Sequence, residues 1–252
     1  MSLINVLKRA KQYSNVIAVG DIHGQTSELG YRIKKRYNIE NSVIILCGDI
    51  GVGFHKFNYH KDDFARLDTI AKSSKNLIIV VRGNHDDPTY FDGSFNMFTN
   101  IAFVPDYTVV ETKNQRILCV GGGVSIDRTD RKLGSSYWGD AELPVYDEEL
   151  LKSAGEIDVI CAHGAPSWCE PSNKDGIDYW ISKDSELSKD IDYERKVMDQ
   201  IFNYLEKNTK SLNFWVYGHY HMSKSQNYDG MRYRAIDCME FFPIPDLDRK
   251  SE

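Results

Sequence analysis

The sequence predicts an α/β fold, and three observations point to it. From the N-terminus to Val81, short β-branched apolar runs alternate with helical spacing in the order β-α-β-α-β. Strand-like runs repeatedly empty into clusters of Gly, Asp, Asn and His. The composition, 41% hydrophobic and 27% charged, is that of a globular chain with enough apolar material for a substantial core.

The elements follow in order. Residues 1–14 read as a short basic helix or arm. The run Val16 to Val19 predicts a strand. Thr26 to Tyr37 predicts a helix, with Thr26 or Ser27 near its N-cap. A second strand is expected over Val43 to Cys47. Tyr59 to Ser73 has helical spacing, with Phe64, Leu67, Ile70 and Ala71 on one face. Leu77 to Val81 closes the alternation, which implies a parallel, buried sheet with right-handed crossovers.

Shorter strands are expected at Ile101 to Val104, Thr108 to Glu111 and Arg116 to Val120. Gly121 then opens a polar stretch reaching Asp147. A helix over Glu148 to Ala154 precedes the apolar run Val159 to Ala162. Residues 164–186 are rich in Pro, Ser, Asn, Asp and Gly and read as a long loop. A charged amphipathic helix is expected over Leu187 to Lys207, then a strand over Phe214 to Tyr217. Ser225-Gln226 and Met231 to Ile236 form a hairpin turned at Asp229-Gly230. With no repeat, low-complexity tract or linker, residues 1–252 read as a single domain. Its core would run from about 14 to 241, and residues 242–252 would form a frayed tail.

Charge and cysteines exclude several classes. A net charge of −6 argues against a surface that coats nucleic acid. No apolar run approaches the ~20 residues that span a bilayer. The segment from Met1 to Arg9 lacks a signal-type apolar region, so a cytoplasmic location is expected. The five cysteines contain no CxxC pair and do not suggest a disulfide scaffold. Cys47 reads as core. Of seven histidines, His23, His85, His163, His219 and His221 fall directly after strand-like runs, whereas His55 and His60 read as loop histidines.

Those strand ends carry the chemistry. Gly20-Asp21-Ile22-His23-Gly24, Gly48-Asp49, Gly83-Asn84-His85-Asp86, Ala162-His163-Gly164 and Gly218-His219-Tyr220-His221 each follow an apolar run. Ligand-binding groups gather at the carboxyl ends of parallel strands. Residues i and i+2 of a strand point to one side, so Asp21 with His23, or His219 with His221, can address one ion. These ends are expected to meet and hold two metal ions. Carboxylate, amide oxygen and imidazole donors suit Mn, Fe or Zn better than Mg or Ca. The absence of a cysteine among them argues against a structural zinc site.

The ordered series of five motifs resembles the calcineurin-like metallophosphoesterase superfamily, in a bacterial and phage-type branch, over residues 16–221. The resemblance implies a four-layer α/β/β/α sandwich with a dimetal site at the carboxyl ends of the strands. It implies that Asp21, His23 and His221 hold one metal and that Asn84, His163 and His219 hold the other, with Asp49 bridging. Manganese is the first expectation for both ions, with iron or zinc as alternatives. The pair would clamp a phosphoryl group and make hydroxide available near neutral pH for in-line attack on phosphorus. His85, not a ligand in the pattern, would face the phosphoryl group and protonate the leaving oxygen or stabilise its charge.

Asp86 could orient His85, but Asp86 and Asp87 ahead of Pro88 read first as a turn or helix start. The segment from Gly121 to Glu142 resembles one seen in that branch, and Arg128 or Arg131 could clamp a phosphate bidentately. A solvated charge run is the competing reading. Trp138, Trp168 and Trp180 could stack on a base, although packing of loop onto core is the simpler role. Gly20-Asp21-Ile22-His23-Gly24-Gln25 and Arg82-Gly83-Asn84-His85 read like the serine/threonine phosphatase branch, yet Gly48-Asp49-Ile50-Gly51-Val52-Gly53 lacks the Asp-Arg-Gly carried there. The leading expectation is therefore a small phosphomonoester, phosphodiester or nucleotide substrate. A protein phosphatase, a dinucleoside polyphosphate hydrolase, a nuclease and a catalytically silent scaffold for protein partners are the alternatives.

Overall fold

The computed structural model describes residues 3–54, 57–95, 97–169, 171–172, 174 and 176–246. The first sheet holds β1 (Asn15–Val19), β2 (Ser42–Leu46), β3 (Leu77–Val80) and β4 (Ile101–Phe103), parallel and in that order. The second holds β5 (Thr108–Glu111), β6 (Arg116–Val120), β7 (Val159–Ala162), β8 (Phe214–Tyr217), β9 (Lys224–Tyr228) and β10 (Met231–Ala235). Its order is β5-β6-β7-β8-β10-β9, with β6, β7, β8 and β10 parallel and an antiparallel strand at each edge. A last strand, β11 (Phe241–Pro243), returns to the first sheet antiparallel to β1.

The period of two along each strand decides which core a side chain enters. In β2, Val43 and Ile45 face the layer between the sheets, and Ile44 and Leu46 face the helices outside. In β7, Val159 and Cys161 point inward while Ile160 and Ala162 point out. Both faces are covered, so these strands are apolar throughout. Complete burial of each such aliphatic side chain stabilises the fold by about 1.5–3 kcal/mol.

The helices complete the outer layers. α1 (Leu3–Ala10) closes one end of the inter-sheet core with Val6 and Ala10. α2 (Thr26–Tyr31) and α3 (Phe57–Ser73) cover the first sheet with Leu29, Phe64 and Leu67. α4 (Glu148–Ala154), N-capped by Asp147, and α6 (Leu187–Asn208) cover the second. Three apolar cores therefore separate four layers, helix, sheet, sheet and helix, as the resemblance implied.

Several local expectations change. The helix beginning at Thr26 passes into a π-helical turn, Arg32–Arg36. The stretch 164–186 is not all loop, because α5 (Ile177–Lys183) lies within it. None of its residues is buried, so no apolar stripe announces it. The expected frayed tail begins too early, since Pro243 pairs with Ile17 in β11 and Ile244 is buried. A strand of three residues that ends in proline leaves little periodic signal. His60 is a buried residue of α3, its ring accepting a hydrogen bond from the Gly53 amide at 3.1 Å, not a loop histidine. His55 and residues 247–252 lie outside the described residues. Among the described residues, no helix is long and apolar enough to cross a membrane.

Candidate metal centre

The carboxyl ends of β1, β2 and β3 meet those of β7 and β8, and the turns leaving them are unusual. His23, Asp49, His219 and His221 all have positive φ, at 42, 53, 68 and 44°. Side chains rarely adopt this conformation, and its cost of about 1–3 kcal/mol each is tolerated where the surroundings fix it. Glycine is required beside them for lack of space. A Cβ on Gly48 would lie 2.2 Å from His163 Nδ1, and one on Gly83 would lie 2.1 Å from Asp49 Oδ1.

The first cluster comprises Asp21, His23, Asp49 and His221, whose donor atoms all lie within 4.8 Å of one another. His221 Nε2 is 3.0 Å from Asp21 Oδ2 and 3.0 Å from His23 Nε2. Asp21 is 1% exposed, and its Oδ2 is buried without a hydrogen-bond donor of good geometry. A buried carboxylate oxygen needs a partner in a protein interior. Two imidazole nitrogens turned onto that same oxygen form the donor set of a transition-metal ion. The residues present therefore fit the metal that the resemblance implies.

The second cluster forms around His163, which is fully buried. Its Nε2 lies 2.9 Å from Asn84 Oδ1 and 3.3 Å from Asp49 Oδ1. Its Nδ1 donates to the Cys47 carbonyl at 2.7 Å, which turns Nε2 toward the site. The Asn84 amide donates to Ser125 Oγ at 3.0 Å, which turns Oδ1 inward. The His219 ring stands 4.7 Å from the His163 ring, centroid to centroid. Asp49 therefore belongs to both clusters. Burial would raise its carboxyl, but His163, His85 and His23 together hold it well below the usual carboxylate range. Burial would lower His163, and Asp49 instead raises it to about 10.

His85 lies beside this centre. Its backbone amide donates to Asp49 Oδ1 at 2.8 Å, and its Nε2 is 2.6 Å from Arg131 Nη2. Burial lowers its ring to about 4, with Arg131 and His23 adding to the effect against Asp49. Arginine only donates, so Nε2 of a neutral His85 accepts. Phe54 stacks on the ring at 5.9 Å and 16°, and Trp138 meets Phe54 edge-on at 5.3 Å. Arg131 also reaches Ser125 Oγ at 3.2 Å and Asp127 at 2.6 Å. Arg128 is engaged elsewhere, with Asp184 and Asp190 each 2.5 Å from its guanidinium.

Asp86 does not orient His85. Its carboxylate accepts from the amides of Gly83, Ile50, Gly51 and Val52 and so ties the β2 exit to the β3 exit. Asp87 starts the 3₁₀ turn Pro88–Phe91, as expected. Trp168 packs among Phe202, Tyr228 and Tyr233.

Two glutamates went unread in the sequence. Glu142 accepts from Ser125 Oγ at 2.5 Å and from the Trp138 amide at 2.9 Å. Glu194 lies 3.5 Å from His219 Nε2 and accepts from the Val124 amide and the Tyr220 hydroxyl. Burial would raise the Glu194 carboxyl, but His219, Arg195 and the Val124 amide together outweigh it and the pKa falls to about 2. A signal was available for Glu194, which sits in the apolar stripe of α6 between Leu187 and Val197. A charge on the buried face of a helix needs a partner.

A family model described as calcineurin-like phosphoesterase matches residues 14–223. Among solved structures, the chain is similar to a dimetal phosphatase from Danio rerio, with 13% identity and a TM-score of 0.49, covering 89% of this chain and 87% of that one. It is also similar to a phosphopantetheinyl hydrolase from Mycobacterium tuberculosis, with 12% identity and a TM-score of 0.44, covering 96% and 99%. A third is a cold-active protein-tyrosine phosphatase from a Shewanella species, with 14% identity and a TM-score of 0.37, covering 91% and 75%. No curated protein matches this chain.

Proposed function

The chain belongs to the calcineurin-like phosphoesterase family and is a phosphoester-hydrolysing enzyme, and from that premise we propose that it acts on a small phosphomonoester or phosphodiester through two metal ions. Asp21, His23 and His221 hold one ion, Asn84, His163 and His219 hold the other, and Asp49 is shared. The carrying observation is the buried Asp21 Oδ2, with His221 Nε2 at 3.0 Å and His23 Nε2 at 3.9 Å converging on it. Bound there, the ions supply Lewis acidity and a lowered water pKa. Manganese, iron and zinc all suit oxygen and imidazole donors, with manganese the first expectation.

The chain's own groups do the rest. Arg131 offers its guanidinium to phosphoryl oxygens from its place beside His85. A phosphoryl oxygen between the two takes the Arg131 hydrogen bond and favours a proton on His85. His85 can then deliver that proton to the leaving oxygen. Phe54 and Trp138 wall the side next to His85 and suit a planar leaving group such as an aryl alcohol or a nucleoside. The free cysteines fit a reducing, cytoplasmic setting, and one domain over residues 1–252 is the simplest organisation.

The test is a substrate panel on the full chain loaded in turn with Mn, Fe and Zn. It spans p-nitrophenyl phosphate, its bis-ester, nucleoside monophosphates, cyclic nucleotides, dinucleoside polyphosphates and a phosphopeptide. Turnover of the aryl esters or nucleotides above the phosphopeptide is expected. Preference for the phosphopeptide would remove the small-substrate reading, and no turnover of any ester would favour the silent scaffold.

A further inference from the structure

Cys238 lies outside every motif above, in the turn that joins β10 to β11. The turn is closed by a Glu240 amide to Asp237 carbonyl hydrogen bond of 3.0 Å. It is fastened to the exit of β1 by Met239 N to Asp21 O at 3.0 Å and by Gly20 N to Glu240 O at 3.1 Å. Arg32 holds the Met239 carbonyl at 2.8 Å, and the Met239 side chain is buried under α2. The Cys238 amide donates to Asp237 Oδ1 at 2.7 Å. These contacts hold the Cys238 backbone beside the exit of β1.

The Cys238 sulfur points at the metal centre. Cys238 Sγ and the donor nitrogens of His23 and His221 all lie within 4.8 Å of one another. The same two imidazoles belong to the cluster with Asp21 and Asp49. The buried Asp21 Oδ2 faces the same two imidazoles, 3.0 Å from His221 Nε2 and 3.9 Å from His23 Nε2. Asp21, His23 and His221 come from the β1 and β8 exits, and Cys238 approaches from a third element, on the solvent side.

We propose that Cys238 is an additional ligand of the ion held by Asp21, His23 and His221, and that its thiolate biases this position toward a thiophilic ion such as Fe or Zn over Mn. The inference rests on the metal-centre reading above. Soft sulfur ligands select such ions, whereas oxygen and nitrogen donors alone leave Mn competitive. On coordination the S–H bond breaks, the sulfur lone pair forms the metal bond, and the proton leaves to solvent. The two ions would then differ in kind, with sulfur at one and none at the other.

The remaining four cysteines are buried and Cys238 alone is exposed, so thiol chemistry on the native chain reads this residue. The experiment titrates Co²⁺ into the metal-free full chain and follows absorbance, while a thiol reagent counts reactive cysteines before and after. Two equivalents bound, a thiolate-to-cobalt charge-transfer band in the near ultraviolet, and one thiol that becomes protected are expected. Cys238→Ser should bind two equivalents without the band and show a larger Mn-to-Zn affinity ratio than the native chain. Two equivalents bound with no band and an unprotected thiol would overturn the inference and leave the metal centre standing. Failure to bind cobalt would overturn both. The thiol count on the native chain decides the matter even if the variant folds poorly.

Discussion

Arg131 Nη2 stands 2.6 Å from His85 Nε2, joining a residue of the long polar stretch to the exit of β3. Arg128, three positions earlier, is paired instead with Asp184 and Asp190. The two arginines looked equivalent as phosphate ligands, and their partners separate them. A guanidinium beside the proposed proton donor can turn to an incoming phosphoryl group, whereas one between two carboxylates is already neutralised.

Arg131→Ala should therefore lower kcat/KM by about 10–100-fold, the worth of a charge-assisted hydrogen bond. Lysine should restore only part of it, because a point charge cannot replace the fork. Arg128→Ala should leave KM unchanged and lower stability by about 1–2 kcal/mol, a partly exposed ion pair being discounted for solvent. Steady-state kinetics and urea unfolding of both variants check the assignment, and a raised KM in the Arg128 variant would reverse it.

Asp49 and His85 should separate binding from chemistry. Asp49→Asn removes the carboxylate shared by both clusters and should leave neither ion bound after gel filtration. His85→Ala should keep both ions and lose about 10²–10⁴-fold in kcat, the usual worth of a positioned proton donor. Elemental analysis beside turnover distinguishes them, and loss of metal from the His85 variant would make His85 a ligand.

Gly123 provides a local probe of the second ion. A Cβ there would stand 3.0 Å from His219 Cε1, 3.1 Å from Asn84 Oδ1 and 3.2 Å from His163 Cδ2. Gly123→Ala should press on three proposed ligands of the same ion at once. One of two metal equivalents should weaken by about tenfold or more, since such sites tolerate shifts of only ~0.5 Å. Calorimetric titration that still finds two unchanged sites would place that ion elsewhere.

Asp86 is a structural clamp, and its loss should appear in stability. Asp86→Ala leaves the amides of Gly83, Ile50, Gly51 and Val52 without their acceptor. Unsatisfied buried donors cost about 1–3 kcal/mol each, so a loss of about 3–5 kcal/mol is expected once the loop relaxes. Chemical denaturation showing less than ~1 kcal/mol would refute the clamp.

Glu142 gives a pH dependence of defined sign. Burial raises its carboxyl to about 7 from an ordinary 4.5, against hydrogen bonds from Ser125 and the Trp138 amide. A carboxyl raised on folding binds its proton more tightly in the folded state. Its contribution to stability is complete below 4.5 and is lost as pH rises through about 7. Asp86, raised to about 6 by burial and Asp49, acts in the same direction. His85, lowered to about 4 by burial, acts in the opposite direction, so the test is a difference: as pH rises from 4.5 to about 7, Glu142→Gln should lose less Tm than the native metal-free chain. An unchanged slope would assign the loss to other groups.

The candidate ligands were legible because the signal is local. Each lies within a few residues of the apolar run that positions it, and a period of two or 3.6 reports which runs become strands or helices. Elements with little periodicity were not legible. α5 buries none of its residues and β11 spans three, so neither imposes a pattern.

By itself, the sequence determined the alternation of strands and helices and the clusters at the strand exits, since these follow from side chains near one another in the chain. Only the tertiary structure decided which distant groups meet them. It brought Glu194 of α6 to His219, Glu142 to Ser125, Cys238 to His23 and His221, and Arg131 rather than Arg128 to His85. Those pairings depend on how packed layers bring separate elements together, and no local periodicity encodes that approach.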